Sequence, residues 1–502
     1  MLMTLIRREL LAHLLAYRFV VATMVLLVLV IANTLVLIYD YERRLTLHRH
    51  AVQRHNDWVL TAKTYSPLHL QVDRPPNPLS LFNQGLEKRL GNTVRVHHAL
   101  VPTLWDAGLY GMDNPFLNLL SSIDLVFVFQ VVLSLLALLF AYDAIAGEHE
   151  RGSLRLLMTT PASRGKILFA KYAAAMIALV VPLTISLILT QFLISGSGSI
   201  VLSGDDWIRI GGFYLTSILF LSVFYLMGLL FSGTTRRTVT ALMTCMFAWV
   251  FFVLIYPNLI LFASNPKIDP QEEGGAVFQE LAQIWGRFDK ERMQLLKDDS
   301  LEGEDPFLNV GYRGETSGPD FHYDSMTLEY YHEQTMSFDD LSEESKAAVP
   351  HAKAFFRQIE PLRIKTAERA WIMRQQALSR MFIRSVPRDR FLIRISPASA
   401  YDLATEAWLG TNLDGLEHFF EAVRKYRHTL IAYFYDKNAF GSRQWFASDA
   451  GAVDWSDLPR FTYQRPDVRV AAAQALPDLI LLLLINAMLF MGSYLIFVRQ
   501  QI

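Results

Sequence analysis

Residues 125–142 read Leu125-Val-Phe-Val-Phe-Gln-Val-Val-Leu-Ser-Leu-Leu-Ala-Leu-Leu-Phe-Ala-Tyr142, an apolar run without a single charged side chain. A bilayer's hydrocarbon core takes roughly 20 apolar helical residues to cross, so this stretch predicts a membrane span. Working outward, comparable runs predict spans at 19–39, 119–142, 167–195, 211–232, 238–263 and 477–498. The first is too long for the apolar core of a signal peptide and lacks a small-residue cleavage site after it, so it reads as a retained anchor. The expected fold class is mainly α: a six-helix transmembrane bundle with a large, mostly helical extracytoplasmic domain.

Composition agrees. The 502 residues are 52% hydrophobic and 19% charged, with a mean hydropathy of +0.24, against about 25% charged residues in ordinary soluble chains. The net charge of −1, from 47 basic and 48 acidic residues, sets up no field that would draw nucleic acid. The lone Cys245 excludes an intrachain disulfide and a cysteine-based zinc cluster. The sequence also lacks a phosphate-cradling loop. Gly165-Lys166 has Thr160 where the upstream glycine would stand and is followed by Ile167, so the chain is not expected to use ATP by itself. There is no His-Glu-x-x-His, which argues against a metal-dependent hydrolase.

Lys and Arg resist translocation and set orientation. Arg7, Arg8 and Arg18 precede the first span; Arg151, Arg155, Arg164 and Lys166 lie between the second and third; Arg236 and Arg237 lie between the fourth and fifth; Arg499 follows the sixth. The loop between the third and fourth carries Arg209 against Asp205 and Asp206. All the basic short segments fall on one side if both termini are cytoplasmic. That topology makes 1–18 a cytoplasmic elbow helix, 143–166 a cytoplasmic loop, and 40–118 and 264–476 extracytoplasmic. A multi-pass membrane location with both termini inside follows as the expectation.

Within the longer outer segment, residues 267–346 hold 20 acidic and 7 basic side chains, while 353–394 hold 11 basic and 3 acidic. The basic stretch could dock an anionic lipid or acidic partner, but neutralising its acidic neighbour is the simpler expectation. Phe355, Phe356, Ile359, Leu362, Ala370 and Met373 recur at helical spacing, as do Leu413, Leu416, Phe420, Val423, Leu430 and Phe434, predicting two long helices that pair apolar stripes. In 40–118, His48 and His55 would stand two turns apart on a helix. Arg49 and Arg54 crowd them, and no carboxylate cluster completes a ligand set, so no metal site is expected.

The stretch leaving the second span, Ala141-Tyr-Asp-Ala-Ile-Ala-Gly-Glu-His-Glu-Arg-Gly-Ser-Leu-Arg-Leu-Leu-Met-Thr-Thr-Pro-Ala-Ser-Arg-Gly-Lys166, has a turn-permitting Gly152, a short amphipathic run and a terminating Pro161. On spacing alone it is either a charged connector or a surface helix that receives force. Its Glu-x-Glu-x-Gly-Ser-Leu pattern resembles the hallmark of ABC-2-type transporter permeases, and Ser232-Gly-Thr-Thr-Arg-Arg237, Trp249, Tyr256-Pro-Asn258, Ser396-Pro-Ala398 and Leu409-Gly-Thr411 extend the likeness to a subgroup with a large insertion before its last span. His149 and Ser153 depart mildly from the pattern.

The resemblance implies a six-span subunit paired with a second permease, either an identical copy or a paralogue, and driven by a separate cytoplasmic ATPase dimer that uses ATP and magnesium. This chain would itself bind no cofactor and catalyse nothing. Glu148, Glu150, Arg151, Gly152, Leu154, Leu157, Pro161 and Arg164 would then form the ATPase-coupling surface. Because polar groups in hydrocarbon are costly, Asp124, Gln130, Gln191, Thr244 and Asn486 are the candidates for a translocation path. An alternative is mechanotransmission, in which nothing crosses the bilayer and ATP hydrolysis reshapes the outer domain to act on an extracytoplasmic client, such as a metalloenzyme being matured.

Overall fold

The computed structural model describes residues 2–68, 70–87, 91–103, 106–108, 123–152, 163–263, 270–298, 320–322, 327–329, 337–378 and 391–499. Six of its helices are long and apolar enough to cross a membrane. A short helix, α1 (Leu2–Leu14), leads into α2 (Tyr17–Thr61). The remaining spans are α3 (125–141), α5 (Arg164–Ser197), α6 (Gly204–Thr234), α7 (238–263) and α12 (Val468–Arg499), with α4 (Ala146–Glu150) in the turn after α3. Residues 119–122, expected to begin the second span, lie outside the described residues.

The expected first span, 19–39, lies in the apolar part of α2, which continues unbroken to Thr61. Nothing in 17–61 stops it, since the segment contains neither glycine nor proline. Where it becomes polar, Asp40 and Arg44 pair at 2.9 Å one turn apart on the helix.

Inside the bundle, Leu26 and Val30 of α2 share a core with Leu133 and Leu138 of α3, Leu179 and Leu183 of α5, Phe220 and Phe224 of α6, Cys245 of α7 and Phe497 of α12. Helices approach closely where glycine permits. A Cβ on Gly228 of α6 would come within 2.6 Å of the Ala141 Cβ on α3.

Described parts of the two long non-span segments share a second core. β1 (Leu70–Asp73), β2 (Thr93–Val96) and β3 (Ala107–Gly108) form an antiparallel sheet with Leu70 opposite Val96 and Val94 opposite Ala107. α8 (Pro270–Lys297), α9 (Glu343–Leu378) and α11 (Leu413–Asp436) pack with it and with the far end of α2. Val59, Val72, Val96, Trp285, Ile359, Phe420 and Trp445 belong to this single core. Two fully or nearly buried arginines stitch the segments together. Arg427 of α11 donates to the His97 and His98 carbonyls at 3.1 and 2.6 Å, and Arg374 of α9 pairs with Asp106 at 2.6 Å. Arg374 and Arg394 of the basic stretch thus find acids at 106 and 478 rather than in the acidic segment just upstream.

One helix departs from the expected layout. α10 (Pro397–Leu409), assigned with 264–476 to the outer domain, packs into the bundle against α6 and α12. Its start is well specified: Ser396 accepts from Ala398 N–H at 3.2 Å, Pro397 occupies the first turn, and Gly410 closes the helix at φ +69°. Buried Ala398, Ala400, Ala404 and Ala407 let it approach closely. Gly212 of α6 lies directly under Trp408, where a Cβ would be 2.3 Å from the indole. The Tyr401 ring stacks on Phe220 at 4.3 Å, and its hydroxyl is 2.9 Å from Ser217 Oγ. The small side chains of α10 let it enter the bundle.

Candidate functional site

Five connections meet at the end of the bundle bearing α1. The turn 142–145 is held by Ser232 of α6, whose Oγ accepts from the Ile145 and Ala146 N–H groups at 3.0 Å each and donates to the Tyr142 carbonyl at 2.8 Å. One serine therefore caps α4 and ties it to α6. Glu148 accepts from Lys171 Nζ of α5 at 2.7 Å, and the same ammonium reaches Glu9 of α1 at 3.2 Å. Lys171 is only 3% exposed, so its charge depends on these carboxylates. Glu150 accepts from Thr238 N–H at 3.1 Å and Thr238 Oγ1 at 2.8 Å, placing a carboxylate at the positive N-terminal end of α7. Arg18 pairs with Asp143 at 3.2 Å, and Arg164 donates to the Val498 carbonyl of α12.

The predicted coupling residues thus divide. Glu148 faces inward to Lys171. His149, Glu150, Arg151 and Gly152 are exposed, with Arg151 Nε folded back onto the Gly147 carbonyl at 3.0 Å. Gly152 ends α4 at φ +73°, a conformation that favours glycine. Leu154, Leu157 and Pro161 lie outside the described residues.

Of the path candidates, Asp124, Gln130, Thr244 and Asn486 take separate hydrogen-bond partners. Asp124 caps α3, accepting from Phe127 N–H at 2.8 Å and Gln84 N–H at 3.0 Å. Gln130 donates to Asp402 of α10 at 3.3 Å, near the Asn83 to Thr405 hydrogen bond of 3.0 Å. Asn486 of α12 donates to the Leu219 carbonyl of α6 at 3.1 Å, joining two helices. Thr244 bonds back to the Thr240 carbonyl of its own helix. Gln191, partly buried, lies on α5 next to Thr190, whose hydroxyl is 3.4 Å from that of Thr34 on α2.

α10 sits between two π-helical turns, 129–133 in α3 and Val250–Ile255 in α7. Such turns widen a helix and displace carbonyls from its regular ladder. Gln130 of the first reaches Asp402, and the Phe252 carbonyl of the second accepts from Ser396 Oγ at 2.5 Å. Trp249 Nε1 donates to Ser134 Oγ at 2.8 Å, fastening the two span helices together at this level.

Among the described residues no group of three His, Cys, Asp or Glu side chains is placed to hold a metal. His55 pairs with Asp73 at 2.7 Å instead.

A family model described as ABC-2 family transporter protein matches residues 3–501. The chain belongs to the ABC-2 transporter family. It is similar to a probable ABC transporter permease protein NosY of Stutzerimonas stutzeri, 33% identical over 144 residues, covering 28% of this chain and 52% of that protein. The protein of the same name from Pseudomonas aeruginosa is 32% identical over 140 residues, covering 26% and 47%. The chain spans about half the length of the curated relatives it matches.

For an ABC-2 protein the residues that sequence reasoning missed are informative. Neither Lys171 nor Asp402 is among the sequence-based candidates. A lysine inside an apolar run was the available signal for the first. Asp402 gave none, because nothing local says that 397–409 enters the bundle.

Proposed function

We propose that this chain is the membrane-spanning permease subunit of an ABC transporter, with α1, α4 and both termini on the cytoplasmic side of a bacterial inner membrane, and that a separate ATPase dimer docks on the exposed 149–152 face and drives export or translocation. The observation that carries this reading is the Glu9–Lys171–Glu148 bridge. Together with Ser232 and Thr238 it ties α4 to α1, α5, α6 and α7, so a push on α4 reaches several spans at once. ATP closing the partner dimer would move α4, and α3 and α7 would rearrange through their Trp249–Ser134 contact around a path formed with the second permease copy. Rigid helices carry such motion when the bundle has two packed states.

A photo-crosslinking amino acid at His149 tests this reading. The expected result is a crosslink to a nucleotide-binding subunit in membranes. Labelling of a cysteine at 152 from outside sealed cells would overturn it.

Mechanotransmission is the second reading, and the length of α2 favours it. Forty-five residues at about 1.5 Å each make a rod about 68 Å long, against a hydrocarbon core of about 30 Å. Leu26 and Val30 anchor it in the bundle, and Ala51 and Val59 are buried at its far end. Cysteine cross-linking across the dimer separates the readings, giving a continuous path for translocation and a sealed seam for force transmission.

A further inference from the structure

A cavity of about 330 Å³ opens where the bundle meets the large domain, between α2, the start of α6 and the strand of chain entering α12. Arg49, Arg74, Arg209 and Arg465 line it, with Tyr41 and Tyr463 among its walls. Its volume is in the range of ligand pockets.

The four guanidinium groups are committed to different degrees. Arg465 meets Asp206 at 2.8 Å and Arg74 meets Glu87 at 3.0 Å. Arg209, 3% exposed, spends its guanidinium on the main-chain carbonyls of Trp408, at 3.2 Å, and Pro466. Carbonyl dipoles orient that charge without neutralising it. Arg49 is exposed and makes no ion pair among the described residues. Asp205 and Asp467 also act on Arg209, so the guanidinium without a carboxylate among the described residues is the exposed Arg49, and an anion in the cavity would complete the cluster. Planar guanidinium forks match tetrahedral oxyanions. Arg209 lies in the second turn of α6, at the boundary between apolar span and domain, the level at which lipid phosphates sit.

We propose that this cavity binds a phosphate-bearing anion, held by Arg209 and Arg465 from the bundle side and by Arg49 and Arg74 from the domain side. Occupancy would join the two halves of the protein at the root of α2. The assignment does not depend on the coupling reading above.

The test uses the purified full-length protein in non-ionic detergent, with melting temperature and native mass spectrometry as readouts. The probes are inorganic phosphate and short-chain phosphatidylglycerol. Saturable stabilisation by phosphate alone identifies a free ion as sufficient; retention of phosphatidylglycerol without a response to phosphate identifies a headgroup; either supports the site. Arg209→Gln should abolish the response. Because that change also strips two carbonyls of their donor, Arg49→Gln, which disturbs no internal bond, is the second variant and should weaken binding about fivefold. High salt should weaken it further, since the screening length shrinks to about 3 Å at 1 M. Neither probe binding saturably, or both variants binding like the wild type, overturns the proposal.

Discussion

Lys171 Nζ lies 2.7 Å from Glu148 on one side and 3.2 Å from Glu9 on the other, so one buried ammonium joins the N-terminal helix to the segment after the second span. Lys171→Met would leave two carboxylates converging on an apolar side chain. Removing one partner of a buried ion pair costs about 3 kcal/mol, so the melting temperature should fall clearly. Adding Glu9→Gln and Glu148→Gln to Lys171→Met should restore much of it. An unchanged melting curve for the single variant would show that the bridge holds nothing.

The double variant Glu148→Ala, Glu150→Ala frees α4 from both Lys171 and the start of α7. The expected outcome is normal membrane insertion, continued hydrolysis by the proposed partner ATPase, and in vivo activity reduced severalfold. Full activity in a complementation assay would mean that α4 is not the coupling element.

Gly212 and its neighbour Gly211 give a paired test of how α10 is seated. An added methyl at 212 would sit 2.3 Å from the Trp408 indole, whereas at 211 it meets nothing within 4 Å. Gly212→Ala should cost about 1–3 kcal/mol through overpacking. Gly211→Ala should be neutral or stabilise by roughly 0.5–1 kcal/mol, since a helical glycine is replaced. Equal melting temperatures for the two variants would contradict the buried position of α10.

The large domain should lose stability as pH falls. Burial pushes the His98 imidazole below its usual 6.5, although Glu360, 2.7 Å away, opposes the shift. The unfolded chain therefore takes up this proton before the folded one, and the stability conferred by neutral His98 is complete above pH 6.5 and is lost as pH falls through its lowered folded value. Burial would raise the Glu360 carboxyl, but Arg363 and then His98 outweigh it and hold the group below 4.5. Its contribution is present above pH 4.5 and disappears only in stronger acid. Tryptophan fluorescence of urea unfolding from pH 7.5 to 5 should show the first loss, and His98→Gln should flatten it. An identical slope in the variant would assign the dependence to another group.

Much of this molecule could be read along the chain. Apolar runs such as 125–142 and 479–498 declare themselves because a bilayer requires length and continuity, both local properties. The helical spacing of Leu416, Phe420, Val423 and Leu430 likewise foretold the buried face of α11. The membership of the ABC-2 family was visible in the stretch from Glu148 to Arg164, because a motif is a pattern of residues.

What needed three dimensions was every relation between distant parts. Val72 and Val96 share a core with Ile359 and Phe420, and Arg374 and Arg427 reach across to Asp106, His97 and His98, over separations that no periodicity encodes. Glu148 reads as a surface acid until Lys171 appears opposite it. α10 could not be placed from its own composition, since alanines suit either a domain surface or a close helix crossing, and Gly212 on another helix selects the second. Local sequence determines which segments are helices and which can enter lipid. Tertiary structure decides where each charge finds its partner, because that depends on distances between segments that are set only when they pack.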